Sequence, residues 1–421
     1  MASLKRAQHL RDLHRNEEAI AEIKILLADD PDNPDGHTEL AITYLGMEKR
    51  KKDALESINT AISLEPEEPA NLSIKAIILS AMDRDKEALE VATQAIALEP
   101  GPFQWYAKAT AHAGLRQWSE AEIACNQSLE IDPDFDSVLN LKNSVLRMQG
   151  RLDEASQNTA VQLSRNAENP NALANAGWTN LQRKDFKKAE DLFRDALRSD
   201  PENEYARAGL VEAFKARSLF YRLYLSWTFF LQRLEGKSQW ALIIGIYLAY
   251  RFGRAMLSQI HPALGVALVI VYLLFVFGSF IAPGIGNFLI LRDPLARLTL
   301  DQREKWDGMA VGGLFFSGIL FTCLGGLFDL TGLLFFGGAC MVATVPAAMI
   351  FRNYERKGQL LFGGIAAFTL ATGLLCLVNS LTVGDPTAGR ADTMITFSML
   401  GVFLSTWFTG MSSLVKRSPT D

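Results

Sequence analysis

Residues 53–66, DALESINTAISLEP, set apolar side chains at Ala54, Leu55, Ile58, Ala61 and Ile62 among polar ones. That spacing follows the 3.6-residue period of an amphipathic helix. The same arrangement returns as EALEVATQAIALEP at 87–100, EAEIACNQSLEIDP at 120–133 and KAEDLFRDALRSDP at 188–201. Beyond residue 217 the alternation gives way to apolar runs at 262–282, 309–328, 330–350, 359–383 and 393–415, with an interrupted one at 240–257. Runs of about 20 apolar residues match the thickness of a bilayer. The pattern predicts an all-α chain with amphipathic helices first and membrane helices after.

The amphipathic half has a fixed period. Its recurrent alanine falls at Ala19, Ala54, Ala88, Ala121, Ala155 and Ala189, with gaps of 33 to 35 residues. Twelve places later stand Pro31, Pro66, Pro100, Pro133, Ala167 and Pro201. Proline cannot continue the helix before it, so each one ends a unit. Twelve places before the alanine stand Ala7, Ile42, Ala76, Ala109, Asn143 and Gly177, mostly small, where two helices can lie close. Leu10, Leu45, Leu79 and Leu146 follow three places on and fill the seam. Each unit is therefore a helix, a short turn and an antiparallel helix.

This signature resembles the tetratricopeptide repeat over about residues 1–217, in six units, with 203–217 as a closing helix. The fifth unit departs most, with Asn143, Gln162 and Ala167 at signature places. The resemblance implies a superhelical solenoid with a concave groove. The first helix of each unit lines such a groove. Carried over by register, the lining is Gly36, Glu39 and Thr43; Ala70, Ser73 and Ile77; Phe103, Tyr106 and Thr110; Ser137, Asn140 and Ser144; and Asn171, Asn175 and Trp178. It lacks the lysines with which related grooves clamp a terminal carboxylate. Aromatic and amide groups suit an extended or helical peptide instead. Phe103, Tyr106 and Trp178 are the expected anchors, since aromatic residues dominate binding hot spots; each could equally fill gaps between repeats.

In the apolar half, charge placement orients the chain. With six spans and the head inside, the inner segments 217–237, 283–308, 352–358 and 416–421 carry 13 Lys and Arg, against three in the outer segments (Arg251, Arg254, Arg390). Dropping 240–257 moves the loop 283–308 outside and the bias largely collapses, so six spans with both termini cytosolic are expected. Arg251 and Arg254 interrupt the first span and would snorkel to the headgroups. Segment 218–237, rich in aromatics and carrying Arg222, Trp227 and Arg233, is expected to lie along the inner membrane surface, with Trp240 at the edge of the first span. The alternative is a seventh repeat helix. Within the loop 281–306, Asp301 with Glu304 predicts a capped short helix. YRLYLSW, YRFGRA and this loop resemble the membrane part of a group of bacterial tetratricopeptide-repeat membrane proteins, which supplies an architecture and no activity. Ala339, Ala343 and Ala347, and Gly313 with Ser317, are spaced for close helix packing within the chain or with a second copy. Asp329 is expected to cap a tight turn, and Asn379 and Ser380 are the most polar pair inside a span.

Charge divides along the same line. Residues 1–217 hold 27 Lys and Arg against 37 Asp and Glu; the remainder holds 15 against 10. An acidic head argues against nucleic acid, which selects a positive face. The four cysteines, Cys125, Cys323, Cys340 and Cys376, show no paired spacing, and the five histidines are scattered, so neither metal nor cofactor is expected. The charged N-terminus does not read as a signal peptide, which leaves the head in the cytosol. No catalytic motif stands out; PGIGNF at 283–288 is only a GxG fragment in a loop. These features favour an adaptor at a bacterial inner membrane that binds a protein or peptide. The alternative is a transporter or lipid-handling protein regulated by its repeats.

Overall fold

The computed structural model describes residues 3–408 apart from 48, 235 and 295. It is helical, with no strand among the described residues. The chain forms two compact units, one running to Ala206 and one starting at Arg207.

The first unit is six helix pairs: Leu4–Asp12 with Asn16–Asp29, Pro34–Leu45 with Lys51–Leu64, Pro69–Ala81 with Asp85–Leu98, Pro102–Gly114 with Trp118–Ile131, Asp136–Met148 with Leu152–Arg165, and Pro170–Gln182 with Phe186–Ser199. All six recurrent alanines are 0% exposed. The close approach at the small position is visible at Gly177, where a Cβ would come within 2.6 Å of the Phe193 ring. A second proline series, at 34, 69, 102 and 170, opens four of the first helices. Its fixed φ suits the first helical turn, where the missing N–H has no partner to lose.

Five of the turns inside the pairs use one left-handed residue, five places before the alanine: His14, Asp83, Arg116, Gly150 and Lys184, with φ of 58°, 59°, 57°, 79° and 68°. The next residue's N–H then reaches back to the carbonyl five residues earlier at 2.9 Å, as from Arg84 to Leu79 and from Asp185 to Asn180. This closes the helix end that would otherwise leave carbonyls unpaired.

The second unit holds the helices Leu219–Arg233, Gly236–Ile260, Pro262–Ile290, Gln302–Asp307, Gly313–Leu327, Thr331–Arg352, Arg356–Thr382 and Ala391–Phe408. Gln302–Leu327, Thr331–Arg352 and Arg356–Thr382 are long and apolar enough to cross a membrane. Val276–Ile290 and Ala391–Thr406 are shorter apolar stretches within their described residues. The predicted run 240–257 lies inside Gly236–Ile260, which pairs with the next helix through stacked Tyr250 and Tyr272, 4.0 Å between centroids. The side chain of Trp240 and the tail 416–421 lie outside the described residues.

The loop expected at 281–306 is shorter than its sequence suggests. Helix Pro262–Ile290 continues through Pro283. Gly284 and Gly286 lie inside it as close-approach positions: a Cβ there would stand 2.7 Å from Val311 and 2.8 Å from Tyr221. The PGIGNF fragment is thus a packing surface. The Asp301–Glu304 capping box is present, with Glu304 N–H donating to Asp301 at 2.6 Å and Asp301 N–H to Glu304 at 2.8 Å. The short helix runs through one π turn, Gly308–Gly312, into the next.

Close packing of the membrane-length helices uses Gly318 against Gly337, where an added Cβ would meet the facing carbonyl at 2.9 and 2.8 Å. Gly313 faces open space. Ala343 and Ala347 are buried within the unit, so that stripe is already spent. Asp329 closes its turn by its left-handed backbone, φ 54°. Asn379 bonds the carbonyl of Ala388 at 2.9 Å, and Ser380 accepts from the Gly332 N–H at 3.2 Å.

Candidate functional site

The groove-register residues divide by exposure. Glu39, Thr43, Ser73 and Asn175 are at most 4% exposed. Thr43 donates to the carbonyl of Glu39 at 2.8 Å and Ser73 to that of Pro69 at 2.9 Å. These hydroxyls are consumed inside the stack, a correction to their expected place on the groove surface. Thr110 likewise donates to Tyr106 O at 2.9 Å. The reason is general: a buried hydroxyl on a helix returns to the carbonyl one turn back when no other partner is near.

Glu39 has company that its register hides. Arg11, on the first helix of the first pair, places Nη1 2.6 Å from Glu39 Oε1, out of line for a hydrogen bond, and Gln8 donates to Oε2 at 3.3 Å. Burial pushes the Glu39 carboxyl above its ordinary range, with Arg11 and then Gln8 pulling it back.

Asn140, Ser144 and Asn175 belong to one buried polar network that explains the irregular fifth unit. Asn143, at the small position, is 0% exposed. Its Nδ2 donates to Gln162 at 2.8 Å and its oxygen accepts from Asn158 at 2.7 Å. Asn140 Oδ1 accepts from Gln162 at 3.1 Å and from Asn175 at 3.0 Å. Tyr205 donates to Asn175 Oδ1 at 3.3 Å. Two of the three signature departures are therefore not independent: Asn143 and Gln162 form a hydrogen-bonded pair at these two places. Asn175 stands one place off the register of the other units, where the equivalent residue is Ala174, and both are buried.

Arg147, outside the groove register, is a buried cation behind the expected lining. It is 3% exposed, bonds Ser144 at 3.1 Å and Tyr205 OH, and stands 6.0 Å from the Trp178 ring centre. Arg147 occupies the same place in unit five as Arg11 in unit one. Where Arg11 meets Glu39 of the next unit, the corresponding residue for Arg147 is Ala174, and Tyr205 takes the guanidinium instead. Trp178 is held between Phe193 and Tyr205, each 5.6 Å away, and its indole N–H reaches the Tyr205 carbonyl at 3.3 Å. Tyr205 is 38% exposed, so this end of the array shows aromatic surface backed by a fixed cation. Phe103 and Tyr106 stack at 6.2 Å, and Tyr106 meets Phe135 at 5.6 Å, all partly exposed. Asn171 is exposed and accepts from Asn203 at 3.1 Å.

Burial pushes the Cys125 thiol up to about 12, so it stays protonated. Among the described residues no three His, Cys, Asp or Glu side chains converge as a metal site would require.

A tetratricopeptide-repeat family model matches residues 4–69 and 144–204. The N-terminal half is a tetratricopeptide-repeat array. Solved structures with likeness to it include a tetratricopeptide repeat protein from Parabacteroides merdae, 15% identical with a TM-score of 0.44 over 49% of this chain and 81% of that one. PilW, a widely conserved type IV pilus biogenesis factor, is 20% identical with a TM-score of 0.40, over 49% and 96%. YrrB, a tetratricopeptide-repeat protein with an unusual peptide-binding site, is 18% identical with a TM-score of 0.30, over 44% and 95%. Comparison with curated proteins returns no match.

In the second unit, the residues expected at a membrane interface divide by exposure. Along Leu219–Arg233, Leu219, Phe220, Leu223 and Phe230 are exposed, while Tyr221 and Leu225 are buried. At 100° per residue the exposed four share one face, with Trp227 among them and Arg222 and Arg233 at its flank. Arg251 and Arg254 are exposed on Gly236–Ile260. One polar cluster escaped the sequence: Asp307, 3% exposed, accepts from Asn287 at 3.1 Å and Arg352 at 3.2 Å.

Proposed function

We propose that the protein is a membrane-held adaptor, whose repeat array docks an extended or helical peptide of a partner protein at the inner face of a bacterial plasma membrane. The reading rests on the repeat array itself: stacked pairs in which Asn140, Asn143, Gln162 and Asn175 bond one another, with Phe103, Tyr106, Trp178 and Tyr205 among the partly open rings. Rigid aromatic side chains give large contact area at small entropic cost. Asn140, Ser144, Asn175 and Arg147 act as the frame that holds Trp178.

Membrane attachment is supported by surface composition. Ile244, Leu248, Phe252, Met256 and Ile260 form an unbroken exposed row on one helix, between 44 and 74% exposed. In water such a row is an aggregation hazard; in lipid it is the ordinary state. The face of Leu219–Arg233 described above suits the bilayer surface, with arginines at its edge.

The test is capture of partners from gently solubilised membranes by three chains: intact, lacking residues 1–203, and carrying Trp178→Ala. The cut stops at 203 because helix Glu204–Lys215 runs into the second unit. A partner held by the intact chain, lost on truncation and retained about ten-fold less by Trp178→Ala would match a central aromatic anchor. Partners unchanged by truncation would move the activity to the membrane half.

A further inference from the structure

Where residues 214–218 meet residues 289–294 and 296, the second unit has a cavity of about 460 Å³ whose lining is both basic and apolar. Lys215, Arg217 and Arg292 line it against a single carboxylate, Asp293; Phe214, Leu289 and Ile290 supply the apolar side. Two of the cations are engaged. Lys215, 6% exposed, meets Glu212 at 3.1 Å, and Arg217 meets Asp293 at 2.7 Å. The second Asp293 oxygen is taken by the Ala296 N–H at 3.1 Å. Arg292 stands apart. Among the described residues its guanidinium has no carboxylate or hydrogen-bond partner and only lies over the Phe288 ring, 5.1 Å from its centre.

We propose that this cavity binds the phosphate headgroup of an anionic phospholipid of the inner leaflet. Three observations converge. The wall carries more positive than negative groups, and its free cation is an arginine, whose planar fork matches phosphate oxygens. The apolar side accepts the glycerol and first methylenes, which a free phosphate would leave unfilled. Ser218, a lining residue, leads directly into Leu219, Phe220 and Leu223, whose exposed face suits the membrane surface, so the cavity opens at headgroup level. Basic pockets beside membrane helices on the cytosolic side attract anionic headgroups in this way. The proposal rests on the membrane reading above, and on the loop 283–308 lying inside.

The experiment uses the full chain in isolated membranes, washed first with alkaline carbonate. The retained chain is then extracted and delipidated. It is given phosphatidylglycerol and phosphatidylcholine in equal amount, and bound lipid is measured by native mass spectrometry. The expected result is preferential retention of phosphatidylglycerol, reduced about five-fold by Arg292→Ala. Arg390→Ala, an exposed cation in the predicted outer loop, should leave retention unchanged. Thermal melts of both variants establish that they fold. Equal retention of the two lipids overturns the proposal, as does equal loss in Arg390→Ala. Displacement by inorganic phosphate alone overturns it too, since that assigns the cavity to a free anion. Release of the chain by carbonate sinks the membrane reading, and this proposal with it.

Discussion

At the scale of single residues, the chain shows how one register position acquires different partners. Arg11 and Arg147 are equivalent, yet one faces a buried carboxylate and the other a phenol. Removing Arg11 leaves Glu39 buried with only Gln8. Arg11→Ala should cost roughly 2 kcal/mol at neutral pH, below the full value for a wholly buried pair because Arg11 is partly exposed. The Glu39 carboxyl already sits above its ordinary range because it is buried. A carboxyl raised in the folded state takes a proton more readily folded than unfolded. Its contribution therefore favours the fold in acid and is lost as pH rises through the raised value. The deficit of Arg11→Ala should shrink in mildly acidic buffer, read as the difference in urea midpoints between variant and parent. A deficit that grows in acid would show that Glu39 is held charged by something else.

At the scale of elements, the turns within the helix pairs carry a strain the sequence does not announce. Gly150 fits its left-handed position, while Asp83, Arg116 and Lys184 hold similar angles with a Cβ. A left-handed residue other than glycine costs about 1–2 kcal/mol, and glycine returns part of that as unfolded-chain entropy. Lys184→Gly should therefore stabilise the array by about 0.5–1 kcal/mol, visible as a raised thermal midpoint of the first unit. A lower midpoint would mean that the lysine side chain contributes more than its backbone strain. The helix pairs themselves were legible, because each pair needs the same small residue at the same crossing. The continuation of Pro262–Ile290 through Pro283 was not, since proline ordinarily ends a helix. Just beyond it Val311 and Tyr221 close on Gly284 and Gly286, contacts with no local signature.

At the scale of the whole molecule, the prediction concerns which surface faces which compartment. Cysteine labelling with an impermeant reagent should mark Thr387→Cys in intact cells and Leu298→Cys only after the membrane is opened. Leu298 is 73% exposed in the described fold, so protection there would report the membrane and not burial. Labelling of Leu298→Cys in intact cells would place the loop 283–308 outside and reduce the spans to five.

What the sequence determined by itself is whatever repeats or accumulates along the chain. The period near 34 follows from stacking similar helix pairs, each needing its alanine at one depth, and the apolar runs give helices long and apolar enough to cross a membrane. The tertiary structure decided what depends on residues far apart meeting once. It joined Asn140 to Gln162 and Asn175, paired Asn143 with Gln162, set Arg147 behind Trp178, and joined Asp307 to Arg352. It also brought Arg217 onto Asp293, forming the cavity beside Arg292. A buried polar group must find a partner wherever one lies in space, so its neighbours carry no period that the chain could display.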